Sequence, residues 1–297
     1  MQPSNERIDS HVHFYTSADL ERVSGGLPYQ LPAPHPLTEY LDRLIESGVT
    51  PVMLNNVHLS ILPDSENVFA SFSELARLQD QNPARYGMIK LVGTIKADPE
   101  YATVERLSHP QIVGVRIVLH DARPDTVVGG QFSSAAWLEL YARLRVNQHV
   151  HIYAKEAETG HRVLQQVPEN VRVVIDHLGS CHSERGAEEP AYLKLLAEAK
   201  RRGNVWFKGP GYRTDTDPLE TAKFVSRIVR EVGCDRILLE ATDAPHVGMS
   251  NSGEVYKDLF DVAKAYSFVD EVARSACLSA GLSERHLLQG QLEIIDI

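Results

Sequence analysis

The feature that most constrains the fold of this chain is a regular alternation of short strand-like runs with longer helix-like runs. The strand-like runs are rich in apolar and β-branched residues on both faces, as is typical of buried parallel strands. In chain order they are RIDSHVHF, TPVMLNN, YGMIKLVGTI, IVGVRIVL, HVHIYAK, VRVVIDH, NVWFKG and RILLEATD. The helix-like runs cover residues 37–48, 65–81, 100–108, 133–147, 159–167, 191–203, 217–233 and 253–266.

Eight strands that alternate with eight helices match the count of an α/β fold of the (β/α)8 TIM-barrel type. The length of 297 residues suits a single barrel domain over residues 1–297. Gly48, Gly203 and Gly233 follow the last helical residue of their runs and are typical helix stop signals. The segment from about Ser267 is predicted to form additional C-terminal helices after the barrel.

Charge and cysteine content narrow the class of protein further. The chain has 30 basic and 40 acidic residues and a net charge of −10, which argues against binding to nucleic acid or to an anionic membrane. A small anionic substrate stays compatible with this balance, because a few local arginines can outweigh it. The three cysteines imply no disulfide framework, and neither a signal region nor a membrane-spanning run is visible. We therefore expect a cytoplasmic enzyme, and the C-terminal helices leave a homodimer open.

Polar side chains that can carry chemistry fall at the ends of three predicted strands. His11 and His13 end the first strand, His177 ends the sixth, and Asp243 ends the eighth. Residues two apart on a strand share a face, so both histidines of the first pair can point into the mouth of a barrel. Three imidazoles and one carboxylate suit a divalent metal, or the carboxylate can act as a general base on water.

A second histidine pair has the same spacing but a different position. His149 and His151 begin the fifth predicted strand, which would place His149 at the bottom of the barrel in a structural role. The function of His151 is left open, since it can reach the interior layer of side chains. The spacing alone is therefore a weak signal, and position along the strand gives it meaning.

In combination, the motifs DSHVHF, GVRI, IDHLG, VWFKGPGYR and ATDAPH resemble the amidohydrolase superfamily, and specifically its amidohydrolase-related branch of lactonases. The resemblance runs over nearly the whole chain. It implies that His11, His13, His177 and Asp243 form the metal or catalytic shell, with Asp243 activating the hydrolytic water. The substrate implied is a lactone that carries carboxylate groups, such as 2-pyrone-4,6-dicarboxylate.

The metal content stays open at this stage. The fifth predicted strand ends at Lys155 or Glu156, without the further ligand that bridged two-metal members of the superfamily use. Members of the branch resembled here use either one zinc ion or no metal, so a single Zn²⁺ or a metal-free site is expected. A second departure is Ala244, where the branch usually has a tryptophan before the proline.

Several residues near the strand ends are candidates for substrate binding. A guanidinium binds a carboxylate well through two parallel hydrogen bonds, and the resemblance assigns this role to Arg116 and Arg123. For Arg116 the alternative is an ion pair with a carboxylate inside the barrel, and for Arg123 it is a solvated loop position. The remaining candidates lie at the end of the second strand, on the fifth strand and after the seventh strand, and each has a packing or loop-fixing alternative: Asn56, Tyr153, Lys155, Tyr212 and Arg213.

The sequence thus predicts a hydrolase that opens a lactone ring, with a small anionic substrate as its partner. One rival is a metal-dependent decarboxylase of the same superfamily, which commonly needs a histidine from the fifth strand. A sugar-lactone hydrolase is the alternative if the arginines are structural. A barrel without catalysis that only binds a ligand is the rival from a different class.

Overall fold

A computed structural model describes residues 6–22, 29–30, 34–48, 50–56, 66–119, 131–209, 211–245, 249–250 and 262–281. Its main sheet has eight strands, all paired in parallel, in the order β1-β3-β4-β5-β6-β7-β8-β9. These strands are β1 (Glu6–Val12), β3 (Thr50–Asn56), β4 (Lys90–Lys96), β5 (Ile112–Leu119), β6 (His149–Ala154), β7 (Arg172–Ile175), β8 (Val205–Lys208) and β9 (Ile237–Leu238). Two short segments, β2 (Tyr29–Gln30) and β10 (Met249–Ser250), form a separate antiparallel pair.

Helices connect the parallel strands, as parallel pairing requires. They are α1 (Ser17–Arg22), α2 (Leu37–Glu46), α3 (Glu66–Gln81), α4 (Pro83–Tyr86), α5 (Val104–Leu107), α6 (Ala135–Arg143), α7 (Ala157–Leu164), α8 (Pro190–Arg202), α9 (Pro218–Glu231) and α10 (Val262–Ala280). None of the helices in the described part of the chain is long and apolar enough to cross a membrane.

The sheet is curled around a small inner apolar cluster. Side chains from strands at both edges and from the middle of the sheet meet there: Ile8, Val92, Val174, Trp206 and Leu238. Strands β6 and β8 are buried along their whole length, because helices cover the outer face and the curled sheet encloses the inner one. The predicted parallel α/β architecture is confirmed.

The two edges of the sheet also approach each other. The segment that follows β9 donates and accepts backbone hydrogen bonds with β1, from Ser10 N to Glu240 O at 2.9 Å and from Asp243 N to His11 O at 2.6 Å. Val12 and Ala244 form an isolated parallel bridge. These bonds bring the end of the last strand beside the end of the first.

Element boundaries differ from the sequence predictions at several ends, most clearly at three of them. The third predicted strand, 86–95, begins only at Lys90, because Asn82 caps a helical turn that ends at Tyr86. The eighth, 236–243, keeps a regular ladder over two residues only. The predicted boundary at Ser267, between the last helix-like run and the additional C-terminal helices, is wrong, since α10 runs through Ser267 without interruption. Most of the predicted helix 253–266 lies outside the described residues.

Candidate active site

The candidate site is built where β1 meets the segment after β9. Besides the bonds described above, His13 N donates to Ala244 O at 2.7 Å. These main-chain bonds hold Asp243 directly opposite the two histidines of the first strand. The backbone of Asp243 has a φ of 51°, a left-handed conformation that non-glycine residues rarely adopt. Such conformations persist where the surroundings enforce them, and they cluster at functional sites.

Three side-chain atoms of the site converge. The Oδ1 atom of Asp243 lies 3.0 Å from His13 Nε2 and 3.1 Å from His11 Nε2. The two Nε2 atoms are themselves 3.2 Å apart. All three residues are buried, with Asp243 and His11 at 0 % exposure. Sequence analysis predicted this grouping from strand-end positions, and the geometry brings the residues together as predicted.

His177 joins the group from the other side. It opens a 3-10 turn (His177–Gly179) immediately after β7, with a φ of 52°. Its ring centroid lies 5.0 Å from that of His11 and 5.1 Å from that of Tyr153, which meets it edge to face. Thr214 Oγ1 donates to the His177 carbonyl oxygen at 3.1 Å and so fixes the turn.

Burial keeps the imidazoles of the site neutral. Desolvation lowers the pKa of His13 to about 4 and that of His177 to about 3, and it lowers the pKa of His11 well below its ordinary value. Burial pushes the pKa of Asp243 upward, but the charge of Arg213 and the contacts with His11 and His13 hold it well below its usual range. At neutral pH the site therefore combines an ionised carboxylate with neutral imidazoles.

Asp9 fixes the two chain segments that carry these residues. Its Oδ1 accepts the backbone N–H groups of His11 at 3.1 Å and Thr242 at 2.9 Å. Its Oδ2 accepts the hydroxyls of Thr242, at 2.5 Å, and of Tyr40. Burial raises the pKa of Asp9 to about 6 against these donors. The Asp9 carboxylate thus holds the backbones of His11 and Thr242 together through one oxygen.

The two arginines that the structure describes near the site both contact carboxylates. Arg213 Nε donates to Asp243 Oδ2 at 2.8 Å. Arg116 Nε donates to Asp176 Oδ2 at 2.8 Å, and a terminal guanidinium nitrogen lies 2.7 Å from the same oxygen. The ion pair that sequence analysis gave as the alternative for Arg116 is therefore present. The guanidinium carbon of Arg116 also lies 5.5 Å from the centroid of the Tyr153 ring, and this ring is the one that meets His177 edge to face.

The other predicted substrate residues are only partly placed. Arg123 lies outside the described residues. Asn56 ends β3 and Tyr212 lies in a 3-10 turn (Gly211–Arg213), but only their backbones are described. Lys155 follows β6 and is half-buried, and its carbonyl oxygen accepts from Cys181 N at 3.1 Å.

Sequence reasoning did not single out Asp9, Asp176 or Lys208 for a role in the site. Asp176 stands beside His177 in the motif IDHLG, and its position at a strand end was the signal that could have found it. Lys208 lies near the end of the seventh predicted strand, NVWFKG, and it is the last residue of β8 and fully buried. His149, expected to be structural, is buried in β6 with its ring 4.7 Å from that of His151.

The donor set fits a divalent cation. His11, His13 and Asp243 each offer one ligand atom, and so do His11, Asp176 and His177. In the first group, three contacts of 3.0–3.2 Å join two imidazole nitrogens and a carboxylate that only accepts, so protons can satisfy at most two of the contacts. Tetrahedral zinc places its ligand atoms about 3.3 Å apart. In the second group, Arg116 and Lys208 already occupy the Asp176 carboxylate, which makes it the poorer ligand.

A buried histidine–aspartate site at the carboxyl edge of a curled parallel sheet, together with the family comparison, defines this protein as a hydrolase with a parallel α/β fold. The model of the amidohydrolase family matches residues 8–279. The chain belongs to the amidohydrolase family. Comparison with curated protein sequences gives no significant match.

Solved structures with the same fold cover nearly the whole chain. One from Acinetobacter baumannii, with citric acid bound, is 20% identical, covers 98% of this chain and 99% of its own, and gives a TM-score of 0.74. One from Pseudomonas putida is 24% identical, covers 97% and 96%, and gives 0.66. Both are provisionally named 2-pyrone-4,6-dicarboxylic acid hydrolases. A third, from Agrobacterium tumefaciens, is 18% identical, covers 98% and 96%, and also gives 0.66.

Proposed function

We propose that this protein hydrolyses a lactone ring that carries carboxylate groups, with 2-pyrone-4,6-dicarboxylate as the reference substrate. The observation that carries the proposal is the carboxylate of Asp243 in contact with the imidazoles of His11 and His13 and with the guanidinium of Arg213. That group of residues can accept a proton, donate to an oxyanion and attract an anion. The names of two structural neighbours, and the citric acid bound to one of them, support an anionic substrate.

The fold that supports this activity is a closed (β/α)8 barrel formed by a single domain. The backbone bonds between β1 and the segment after β9 support closure, because they join the two edge strands of the curled sheet. Closure places the carboxyl ends of all the strands around one mouth, which is where such barrels carry their catalytic residues. The site residues are at these strand ends.

The reaction begins with proton transfer from water to Asp243. As the carboxylate takes this proton, the water oxygen forms a bond to the lactone carbonyl carbon, and the carbonyl π electrons move to the oxygen. Imidazole N–H groups of the cluster formed by His11, His13 and His177 donate to that oxyanion. When the oxyanion collapses, the bond between the acyl carbon and the ring oxygen breaks. Asp243 returns its proton to the departing oxygen, and the ring opens without any net change at the protein.

The same residues would hold one divalent cation such as Zn²⁺. His11, His13 and Asp243 supply the ligand atoms, with His177 at the adjoining position. When bound, the cation polarises the substrate carbonyl as a Lewis acid. His11 and His13 would then act as ligands of the cation instead of as hydrogen-bond donors, and Asp243 would keep the role of moving the proton.

Arginine side chains anchor the substrate. Arg213 contacts Asp243, and the ring of Tyr153 contacts both Arg116 and His177. With Arg123 they would bind the carboxylates and so orient the ring for attack. The further contacts that we propose come from strand ends around the same mouth: Asn56, Tyr153, Lys155 and Tyr212.

A panel of lactones tests the proposal. Ring opening of 2-pyrone-4,6-dicarboxylate should exceed that of the uncharged 2-pyrone by at least a hundredfold in kcat/KM, because only the first can engage the arginines. Equal rates on both, or preference for a sugar lactone such as gluconolactone, would contradict the anionic substrate class. Release of CO2 from a carboxylated substrate would identify a decarboxylase instead.

A further inference from the structure

A second buried polar group lies inside the curled sheet, beside the catalytic candidates. It consists of Arg116 on β5, His151 on β6, Asp176 after β7 and Lys208 on β8, and we call it the Asp176 cluster. Arg116 is 4% exposed, and the other three are 0% exposed. Charged residues are rarely buried to this degree unless they are paired, so the pairing inside the cluster is informative.

Asp176 is the centre of the cluster. Its Oδ2 atom accepts a hydrogen bond from Arg116 Nε at 2.8 Å and lies 2.7 Å from a terminal nitrogen of the same guanidinium, and its Oδ1 atom lies 3.2 Å from Lys208 Nζ. These charged contacts restrain the position of the guanidinium. Asp176 is itself held by a backbone hydrogen bond from its N–H to Ile152 O at 3.0 Å. The carboxylate therefore orients Arg116 from a rigid base.

His151 carries a buried donor that has no acceptor among the described residues. Lys208 Nζ lies 3.2 Å from His151 Nδ1, and an ammonium group can only donate, so Nδ1 is the acceptor. Burial lowers the pKa of His151 well below its ordinary value, so the ring is neutral and its one proton is on Nε2. That buried Nε2–H has no hydrogen-bond partner within the described ranges. A buried donor without an acceptor is destabilising, and a ligand oxygen would supply the missing acceptor.

The charges of the cluster also favour an anionic ligand. Burial lowers the pKa of Lys208 to about 8, which still leaves it a cation at neutral pH. Two cations, Arg116 and Lys208, thus surround the single carboxylate of Asp176, with a neutral His151. Within these four residues the two cations exceed the carboxylate by one charge, in a buried place where charges interact strongly. A ligand carboxylate placed beside them would be attracted.

We propose that the Asp176 cluster is a carboxylate subsite in which Asp176 and Lys208 are positioning residues that aim the guanidinium of Arg116 at one carboxylate of the substrate. His151 supplies a further donor to the same subsite. This inference rests on the proposed function for the identity of the ligand, since it names which group of the lactone is bound and by what support. Arg116 and His151 are the contact residues, and Asp176 acts through Arg116.

Equilibrium binding of benzene-1,3-dicarboxylate tests the subsite without requiring turnover. This probe is a flat six-membered ring with two carboxylates in the same 1,3 relation as those of 2-pyrone-4,6-dicarboxylate. Calorimetry should give at least a tenfold weaker Kd for Asp176→Asn than for the wild type, and a smaller loss for His151→Phe. Asp42→Asn is the matched control, because Asp42 also pairs with an arginine, Arg85 at 2.8 Å, but on the outer helices.

The double variant Asp176→Asn/Lys208→Met separates positioning from charge balance. It removes one charge of each sign, so Tm should return toward the wild-type value even if Asp176→Asn alone is unstable. Affinity for the probe should stay at least tenfold weak, because nothing then aims Arg116. Recovery of both Tm and Kd would mean that Asp176 only neutralises Lys208, and would overturn the proposal.

The outcomes also distinguish this proposal from the proposed function. Tight binding of the probe that depends on Asp176, in a protein that opens no lactone, would keep the subsite and reject the reaction. Lactone opening with unchanged KM and Kd in Asp176→Asn would keep the reaction and reject the subsite. Wild-type protein that does not bind the probe at all would also reject the subsite.

Discussion

Arg213 and Asp243 form a largely buried ion pair in which Nε donates to Oδ2 at 2.8 Å. The opposite oxygen of the same carboxylate faces His11 and His13. One oxygen of Asp243 therefore contacts a cation that keeps the carboxylate ionised, and the other contacts two imidazoles. This arrangement gives Arg213 a second proposed role beside substrate binding, because its charge also sets the basicity of the proposed base.

Replacing Arg213 tests this second role. Removal of the guanidinium in Arg213→Met should raise the pKa of Asp243, since Arg213 is the largest influence that lowers it. The base must be ionised to accept a proton, so the acidic limb of the profile of kcat/KM against pH should move to higher pH. Loss of a charged hydrogen bond should lower kcat/KM by about 10- to 100-fold. Arg213→Lys should shift the limb less, whereas an unmoved limb in Arg213→Met would restrict Arg213 to substrate binding.

Metal content tests the donor set. We expect the protein to bind about one equivalent of Zn²⁺ per chain, because His11, His13 and Asp243 present three converging donors. His13→Ala should weaken zinc binding by at least tenfold in a calorimetric titration. His161→Ala, a change on helix α7 away from the site, is the control. Zinc binding that survives His13→Ala would place the metal elsewhere.

The free energy of unfolding at acidic pH should depend on His149, a buried histidine of β6. Burial lowers the pKa of His149 to about 3, so the folded state keeps it neutral while the unfolded state protonates below pH 6.5. Its contribution to stability is therefore present above pH 6.5 and is lost as the pH falls below that value. Between pH 6.5 and pH 5, the free energy of unfolding should fall by about 2 kcal/mol more in the wild type than in His149→Gln. Urea denaturation at the two pH values measures this difference; equal falls would mean that His149 is not held neutral.

The pairing of β5 with β6 depends on a residue without a side chain. A Cβ atom at Gly114 would lie 1.9 Å from the carbonyl oxygen of His149, a main-chain atom that cannot move away cheaply. Gly114→Ala should lower the free energy of unfolding by about 3 kcal/mol or more. Gly48→Ala is the control, because a Cβ there meets no atom within 4 Å and only the positive φ of 74° is strained, which costs about 1–2 kcal/mol. Similar losses in both variants would contradict the close approach.

Much of this arrangement could be predicted from the sequence. Continuous apolar runs separated by helical patterns predict a parallel sheet, and parallel strands deliver their carboxyl ends to one edge. That is why His11, His13, His177 and Asp243 could be grouped without coordinates. The grouping depends only on position along each strand, which the sequence carries directly.

What could not be predicted depends on the inward or outward direction of single side chains near strand ends. Lys208 lies near the end of the seventh predicted strand, where the sequence does not show which way its side chain points. Only the curl of the sheet places it beside Asp176. The eighth predicted strand reads as regular through Asp243, but the left-handed backbone of that residue interrupts the ladder. The charge partner of Arg116 was left open for the same reason, since sequence spacing does not reveal contacts between strands.

The central claim is that Asp243 is the proton acceptor in the hydrolysis of a carboxylated lactone. The most direct test compares the wild type with Asp243→Asn on 2-pyrone-4,6-dicarboxylate by following the loss of pyrone absorbance. We expect ring opening by the wild type and a fall in kcat of about 10²- to 10⁴-fold in the variant, as for loss of a general base, with the fold unchanged by circular dichroism. No ring opening by the wild type, or an Asn variant that is equally active, would contradict the claim.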